Sequence, residues 1–188
     1  MNQQPSENKN LEVATLAGGC FWCTEAAFSI MKGVERIEPG YTGGTVPNPS
    51  YEEVSSGTTG HAEAAQIYFD PKVISYKEIL EIFFTMHDPT SLNRQGADIG
   101  SQYRSVIFYH SPEQKATAEK LIDELTKEEI WNKLIVTAVE PLKVFYNAET
   151  YHKDYYKKHP KEPYCQVVIA PKIAKLQHRF LDKINVPL

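Results

Sequence analysis

Apolar and polar positions change period several times along the chain, and each change predicts an element. Leu11 to Leu16 is an apolar run short enough for a strand, and it leads into the pair Gly18-Gly19. From Phe21 to Met31 the apolar residues Phe21, Ala27, Phe28 and Met31 predict a helix, ended by Gly33, a residue suited to the turn after a helix C-terminus. Val34 to Glu38 alternates apolar and charged residues, and Ala62 to Phe69 is again strand-like. Ser75 to His87 predicts a helix, because Ser75 with Glu78 three residues on forms a capping box. A strand over Tyr103 to Tyr109, a helix over Pro112 to Lys127 and a strand over Leu134 to Pro141 follow. Two stretches break the pattern. Pro39 to Gly60 holds Gly40, Gly43, Gly44, Pro47-Asn48-Pro49 and Ser55-Ser56-Gly57, and Asp88 to Gly100 is polar and irregular. Loops this long are usually functional.

This order predicts an α+β fold, a two-layer sandwich with helices packed on one face of a mainly antiparallel sheet. A length of 188 residues fits one domain with a sizeable core. Residues 1–10 read as a polar, disordered leader. Residues 11–188 form the single domain, with 148–188 as a partly helical, otherwise irregular tail wrapped on the body.

Composition narrows the function. Hydrophobic residues make up 41% and charged residues 23%, and the net charge is −4 with both signs interspersed. A nucleic-acid binder would show a basic face instead. No run approaches the roughly 20 apolar residues of a membrane span. The polar start lacks a signal-peptide core, so a cytoplasmic location is expected. Three cysteines are too few for a secreted disulfide scaffold.

The segment Gly18-Gly19-Cys20-Phe21-Trp22-Cys23 places Cys20 where a glycine turn meets a helix N-terminus. Free backbone N–H groups and the positive dipole end favour an anion there, so the Cys20 thiol is expected below its ordinary value of about 8.5. Cys23, one turn on, makes a pair able to cycle between dithiol and disulfide. The structural alternatives are small buried hydrophobes or half of a zinc site, which needs about four ligands where only Cys165 and scattered histidines remain. Phe21 and Trp22 are either core or an apolar wall for a methyl-bearing group.

In the strand over Ala62 to Phe69, Glu63 shares a face with Ala65, Ile67 and Phe69. On that face burial would raise its pKa and leave a neutral acid able to donate a proton. At the strand end it would instead lean into solvent. His61 has the same parity and reads as a hydrogen-bonded support.

Several motifs in order resemble those of the methionine sulfoxide reductase A family. They are Gly19-Cys20-Phe21-Trp22, then Gly40-Tyr41-Thr42-Gly43-Gly44 with Pro47 to Val54, then Gly57 to Glu63, and Arg94 to Ser105. The likeness runs from about Leu11 to about Phe180. It implies a ferredoxin-like plait and reduction of methionine-S-sulfoxide, free or in oxidised proteins. Cys20 would be the nucleophile and Glu63 the acid that protonates the sulfoxide oxygen. Tyr51 and Tyr103 would donate hydrogen bonds to that oxygen, Asp98 would line the site, and Phe21 and Trp22 would hold the methyl group. Thioredoxin would be the reductant, and neither a metal nor an organic cofactor is called for. Many family members carry Gly at the position of Cys23 and resolve with C-terminal cysteines. Cys23 is the nearer candidate here, and Cys165 on a mobile tail is the alternative. Three rival readings are a thioredoxin-like disulfide oxidoreductase, a cysteine hydrolase pairing Cys20 with His61 or His152, and a zinc-binding module.

Overall fold

Strand β1 (Glu12–Gly18) lies inside a six-stranded sheet in the computed structural model, which describes residues 10–185. The expectation of a disordered leader falls, apart from Asn10, on residues outside that range. Helix α1 (Phe21–Ser29) follows β1, then β2 (Val34–Thr42), α2 (Tyr51–Ser55), β3 (Ala62–Phe69) and α3 (Tyr76–Met86). The short strands β4 (Arg94–Gln95) and β5 (Asp98–Ile99) form a separate hairpin. Next come β6 (Ser105–Tyr109), α4 (Pro112–Lys127), β7 (Ala138–Pro141), β8 (Phe145–Asn147), α5 (Tyr155–Lys158) and α6 (Ala170–Arg179). The sheet order is β7-β6-β1-β3-β2-β8, antiparallel except for the β6–β7 pair.

Period-two alternation decides which face of the sheet meets the helices. Leu16, Ile37, Ala65, Ile67, Phe69 and Ile107 pack against Phe28 of α1, Phe83 of α3, Leu121 of α4 and Leu176 of α6. The opposite parity gives Ala17, Ala62, Ala64, Val106 and Phe108 a second, smaller cluster covered by Leu142 and Phe145. Leu142 lies in the link between β7 and β8 and Phe145 opens β8, and these two strands are opposite edges of the sheet. Laid flat, the two edges would stand about 24 Å apart at the usual strand spacing. Four residue steps from Pro141 to Phe145 reach at most about 14 Å. The sheet must therefore curl until its edges approach, enclosing the small cluster.

Several elements differ from the pattern-based expectation. β2 runs on to Thr42, because Pro39, Gly40 and Tyr41 keep pairing with Ala65, Ala64 and Glu63. The long loop contains α2, started by a capping box in which Ser50 accepts from the Glu53 N–H and Glu53 accepts from the Ser50 N–H. β7 is shorter than Leu134 to Pro141, and β8 lies in a stretch assigned to no element. Over its described residues the tail is more helical than expected. It carries α5, a π-helical turn over Cys165–Ile169 and α6.

Tail and body are joined at α1. Both Glu25 carboxylate oxygens accept the Asp154 N–H at 2.9 Å, where Asp154 turns through a positive φ of 56°. Tyr155 stacks on Trp22 with ring centroids 3.7 Å apart, and Asn185 donates its N–H to the Ile30 carbonyl at 2.8 Å.

Gly44 opens the loop that leads to α2. A Cβ there would lie 2.3 Å from the His61 nitrogen and 2.5 Å from the Thr59 oxygen, both backbone atoms that cannot swing away. Gly44→Ala is expected to destabilise the fold by about 1–3 kcal/mol, as overpacking does. Urea denaturation followed by circular dichroism reads this directly.

Candidate active site

Chain direction brings the reactive segments together. β1 and β2 are parallel to one another, while β3 and β6 run the other way. The ends of β1 and β2 and the starts of β3 and β6 therefore lie at one edge of the sheet. Cys20 follows β1, the loop bearing Tyr51 follows β2, Glu63 opens β3, and Tyr103 directly precedes β6.

The turn into α1 needs glycine at residue 19, whose φ is +94° and whose added Cβ would lie 2.8 Å from the Gln95 side chain. Cys20 is the N-cap residue and only 8% exposed. Glu63 is 2% exposed, on the helix-facing side of β3, and its Oε2 accepts the Phe21 N–H at 3.0 Å. The carboxyl thus sits at the first turn of the helix that Cys20 caps. Burial pushes its pKa up to about 8, opposed by the Phe21 N–H and reinforced by Asp98 and Cys23. At neutral pH it is mostly a neutral acid.

The Cys20 thiol does not behave as the helix-terminus argument expects. Burial, a hydrogen bond with Cys23 and the nearby Glu63 all push it well above its ordinary value, and the N–H of Trp22 pulls the other way only weakly. Desolvation outweighs the dipole because the sulfur is almost closed off from water. Cys23 moves in the opposite direction, to about 7, chiefly through the hydrogen bond from Cys20, with help from Lys172 and Tyr164 against the effect of burial. Two thiols linked in this way lose their first proton early and hold the second late. At neutral pH a sizeable fraction of the pair carries one negative charge shared through an S–H···S contact.

Tyr51 and Tyr103 are half-buried, and both hydroxyls are pushed up first by burial and then by Glu63, with Cys20 contributing to each. Both stay protonated and keep their donor hydrogens. Asp98 accepts the Tyr164 hydroxyl at 2.6 Å, and Tyr164 also meets the Cys23 sulfur at 3.9 Å. Phe21 is buried against Tyr41 and His152, with centroid distances of 5.7 and 5.0 Å. Trp22 is half-buried, and Tyr155 covers one of its faces.

Cys165 is packed inside the fold. It is 0% exposed, in the π-helical turn behind Tyr164, and close enough to Cys23 for the two sulfurs to influence one another. His61 supports the loop: its Nδ1 accepts the Gly44 N–H at 3.0 Å, so its Nε2 carries the proton donated to the Val46 carbonyl at 2.7 Å. His152 lies far deeper than a residue that merely packs the tail. It is 0% exposed, and its Nδ1 accepts the Trp22 indole N–H at 3.1 Å. Its ring stands 4.5 Å from that of Tyr51.

Glu149 escaped the sequence reading. It accepts the Tyr41 hydroxyl at 2.7 Å and the Tyr51 N–H at 2.8 Å, and it lies 3.6 Å from His152 Nε2. No spacing signal marks it, since its hydrogen-bond partners Tyr41 and Tyr51 are about a hundred residues away. Tyr164 had a weak signal, as an aromatic beside a cysteine. Among the described residues no group of three or more His, Cys, Asp or Glu side chains is placed to hold a metal ion.

A reactive sulfur pair at a helix start, facing a neutral buried carboxyl, defines a site for thiol chemistry on an α+β scaffold. Residues 12–184 match the family model described as peptide methionine sulfoxide reductase. Peptide methionine sulfoxide reductase MsrA of Saccharolobus solfataricus is 57% identical over 176 residues, covering 94% of this chain and 98% of that protein. The same-named protein of Thermus thermophilus is 56% identical over 169 residues, covering 90% and 95%. Among solved structures, reduced Mxr1 from Saccharomyces cerevisiae superposes with a TM-score of 0.77 at 37% identity, covering 87% of this chain and 92% of that one. A second Mxr1 structure, in complex with Trx2, gives a TM-score of 0.55 at 27% identity, covering 82% and 89%. The chain belongs to the peptide methionine sulfoxide reductase family.

Proposed function

We propose that the protein reduces methionine-S-sulfoxide, free or within oxidised proteins, to methionine. One observation carries this reading: Glu63 is buried, neutral and hydrogen-bonded to the first residue of the helix that Cys20 caps. A sulfoxide has an electron-poor sulfur and a negatively polarised oxygen. Attack by the Cys20 sulfur becomes feasible as Glu63 delivers its proton to that oxygen, with the Tyr51 and Tyr103 hydroxyls stabilising the charge. Phe21 and Trp22 supply apolar surface for the methyl group, and Asp98 lines the site with Tyr164. The sulfoxide S–O bond breaks, its oxygen ends as a hydroxyl on the Cys20 sulfur, methionine leaves with the electron pair, and Cys20 is left as a sulfenic acid. The Cys23 thiol then attacks it, releasing water and forming the Cys20–Cys23 disulfide. An external dithiol returns both sulfurs to the reduced state. Preference for the S epimer comes from the family likeness alone.

Thioredoxin is the proposed reductant, supported by the Trx2 complex of the related Mxr1. The order β6-β1-β3-β2, with α1 and α3 as the crossing helices, supports a ferredoxin-like plait at the centre of the sheet. We take residues 11–188 to act as one catalytic domain in the cytoplasm. Among the described residues no helix is long and apolar enough to cross a membrane.

Cys23→Ser separates the two half-reactions. It is expected to release one methionine per chain and then stop, even with thioredoxin and its reductase present, in an NADPH-coupled assay. Sustained turnover in that variant would move the resolving role to Cys165.

A further inference from the structure

Beyond Asp98 and Tyr164 the surface opens into a groove of about 760 Å³, bounded by the β4–β5 hairpin, the segment around Trp131 and the start of α6. Asp98 and Tyr164 are shared. They line the groove and also stand beside the sulfur pair, Tyr164 touching Cys23. The groove therefore adjoins the site.

Three lysines cluster along it. Lys133, Lys172 and Lys175 line it, and none has a carboxylate partner among the described residues. Lys32, Lys72, Lys143, Lys158 and Lys161 also lack one, but none of these lines the groove. Two carboxylates, Asp88 and Asp98, share the lining, and neutral donors hold them in place. Asp98 accepts from Tyr164, and Asp88 accepts from Thr90 and Ser91. Three lysines thus outnumber two carboxylates here, on a chain whose net charge is −4. The half-buried Trp131 ring adds an aromatic surface beside them.

We infer that this groove receives the polypeptide segment flanking an oxidised methionine and favours segments that carry Asp or Glu. This rests on the proposed sulfoxide reduction at Cys20. An extended chain advances about 3.3 Å per residue, so side chains a few positions from the reacting sulfur fall within the groove. Complementary charge at that distance acts on capture of the substrate and leaves the chemical step alone.

The test compares methionine sulfoxide peptides of equal length whose flanks carry Glu, Ser or Lys, alongside a capped methionine sulfoxide residue with no flanks. Wild type and the double variant Lys133→Glu/Lys175→Glu are assayed at low and high salt. Lys172 is left in place because its charge reaches Cys23. The expected result is a kcat/KM about tenfold higher for the Glu than for the Lys peptides at low salt, carried by KM. That gap shrinks as salt screens the charges and vanishes or reverses in the double variant. The capped residue is reduced equally by both proteins, which also shows that the variant is folded. Equal kcat/KM for Glu and Lys peptides, or a preference that survives charge reversal, overturns the inference. A wild-type protein that leaves the capped residue untouched overturns the sulfoxide reading itself and this inference with it.

Discussion

Cys20→Ser is expected to lower methionine formation by on the order of 10⁴-fold or more, to the background of the assay. A hydroxyl at this position cannot ionise near neutral pH, and oxygen cannot cycle through a sulfenic acid to a disulfide. The substitution changes one atom of a residue that is 8% exposed, so folding is little disturbed. Circular dichroism should match wild type while single-turnover methionine release disappears. Cys23 remains in this variant without the Cys20 thiol that chiefly lowers its pKa, with Tyr164 beside it, while Glu63 sits at the helix start beside residue 20. A Cys20→Ser protein that still released one methionine per chain would place the nucleophile at Cys23.

Glu63→Gln should lower the single-turnover rate by about 10²–10⁴-fold, the usual range for removing a general acid. An amide can still accept the Phe21 N–H but has no proton to give. The pH dependence provides a second reading. Wild-type rate should fall as pH rises through about 8, where burial no longer keeps Glu63 protonated. The Gln variant should lack that limb. Stability moves in the same window. Below the unfolded value of about 4.3 both states hold the proton, and the contribution of Glu63 to stability is fully present. Above it the unfolded chain ionises first, and that stability is lost progressively until the folded group ionises near 8. Between pH 5 and pH 9 wild type should therefore lose more stability than Glu63→Gln, compared by urea denaturation. Equal rates in the two proteins would remove Glu63 from the acid role.

How much of this was legible in the chain depends on whether the deciding interaction is local. The α3 start was, because Ser75 and Glu78 cap it across three residues. Ser50 and Glu53 carry the same signal for α2, but the surrounding glycines and prolines masked it. The Glu63 face followed from period two alone, since its strand neighbours Ala65, Ile67 and Phe69 are apolar. β2 was cut short at Pro39 because Pro39 and Gly40 look like turn residues. In the sheet they pair with β3, and Gly40 lets β8 pass so close that a Cβ would lie 2.3 Å from the Tyr146 oxygen.

The direction of the Cys20 shift was not legible, because it depends on burial supplied by segments distant in sequence. A helix terminus can be read from a glycine turn; the amount of water left at it cannot. The same holds for Glu149, His152 and Tyr164. Each meets its site partner across 66 residues or more, and only Tyr164, beside Cys165, carries even a weak local signal.

The most direct measurement is stoichiometric. Fully reduced protein is mixed with methionine-S-sulfoxide and no other reductant, and methionine and free thiols are counted together. The expected result is one methionine released and two thiols lost per chain, with Cys20 and Cys23 joined in the product identified by mass spectrometry. Methionine absent with every thiol intact, or a disulfide that leaves out Cys20, would contradict the assignment of that sulfur as the attacking group.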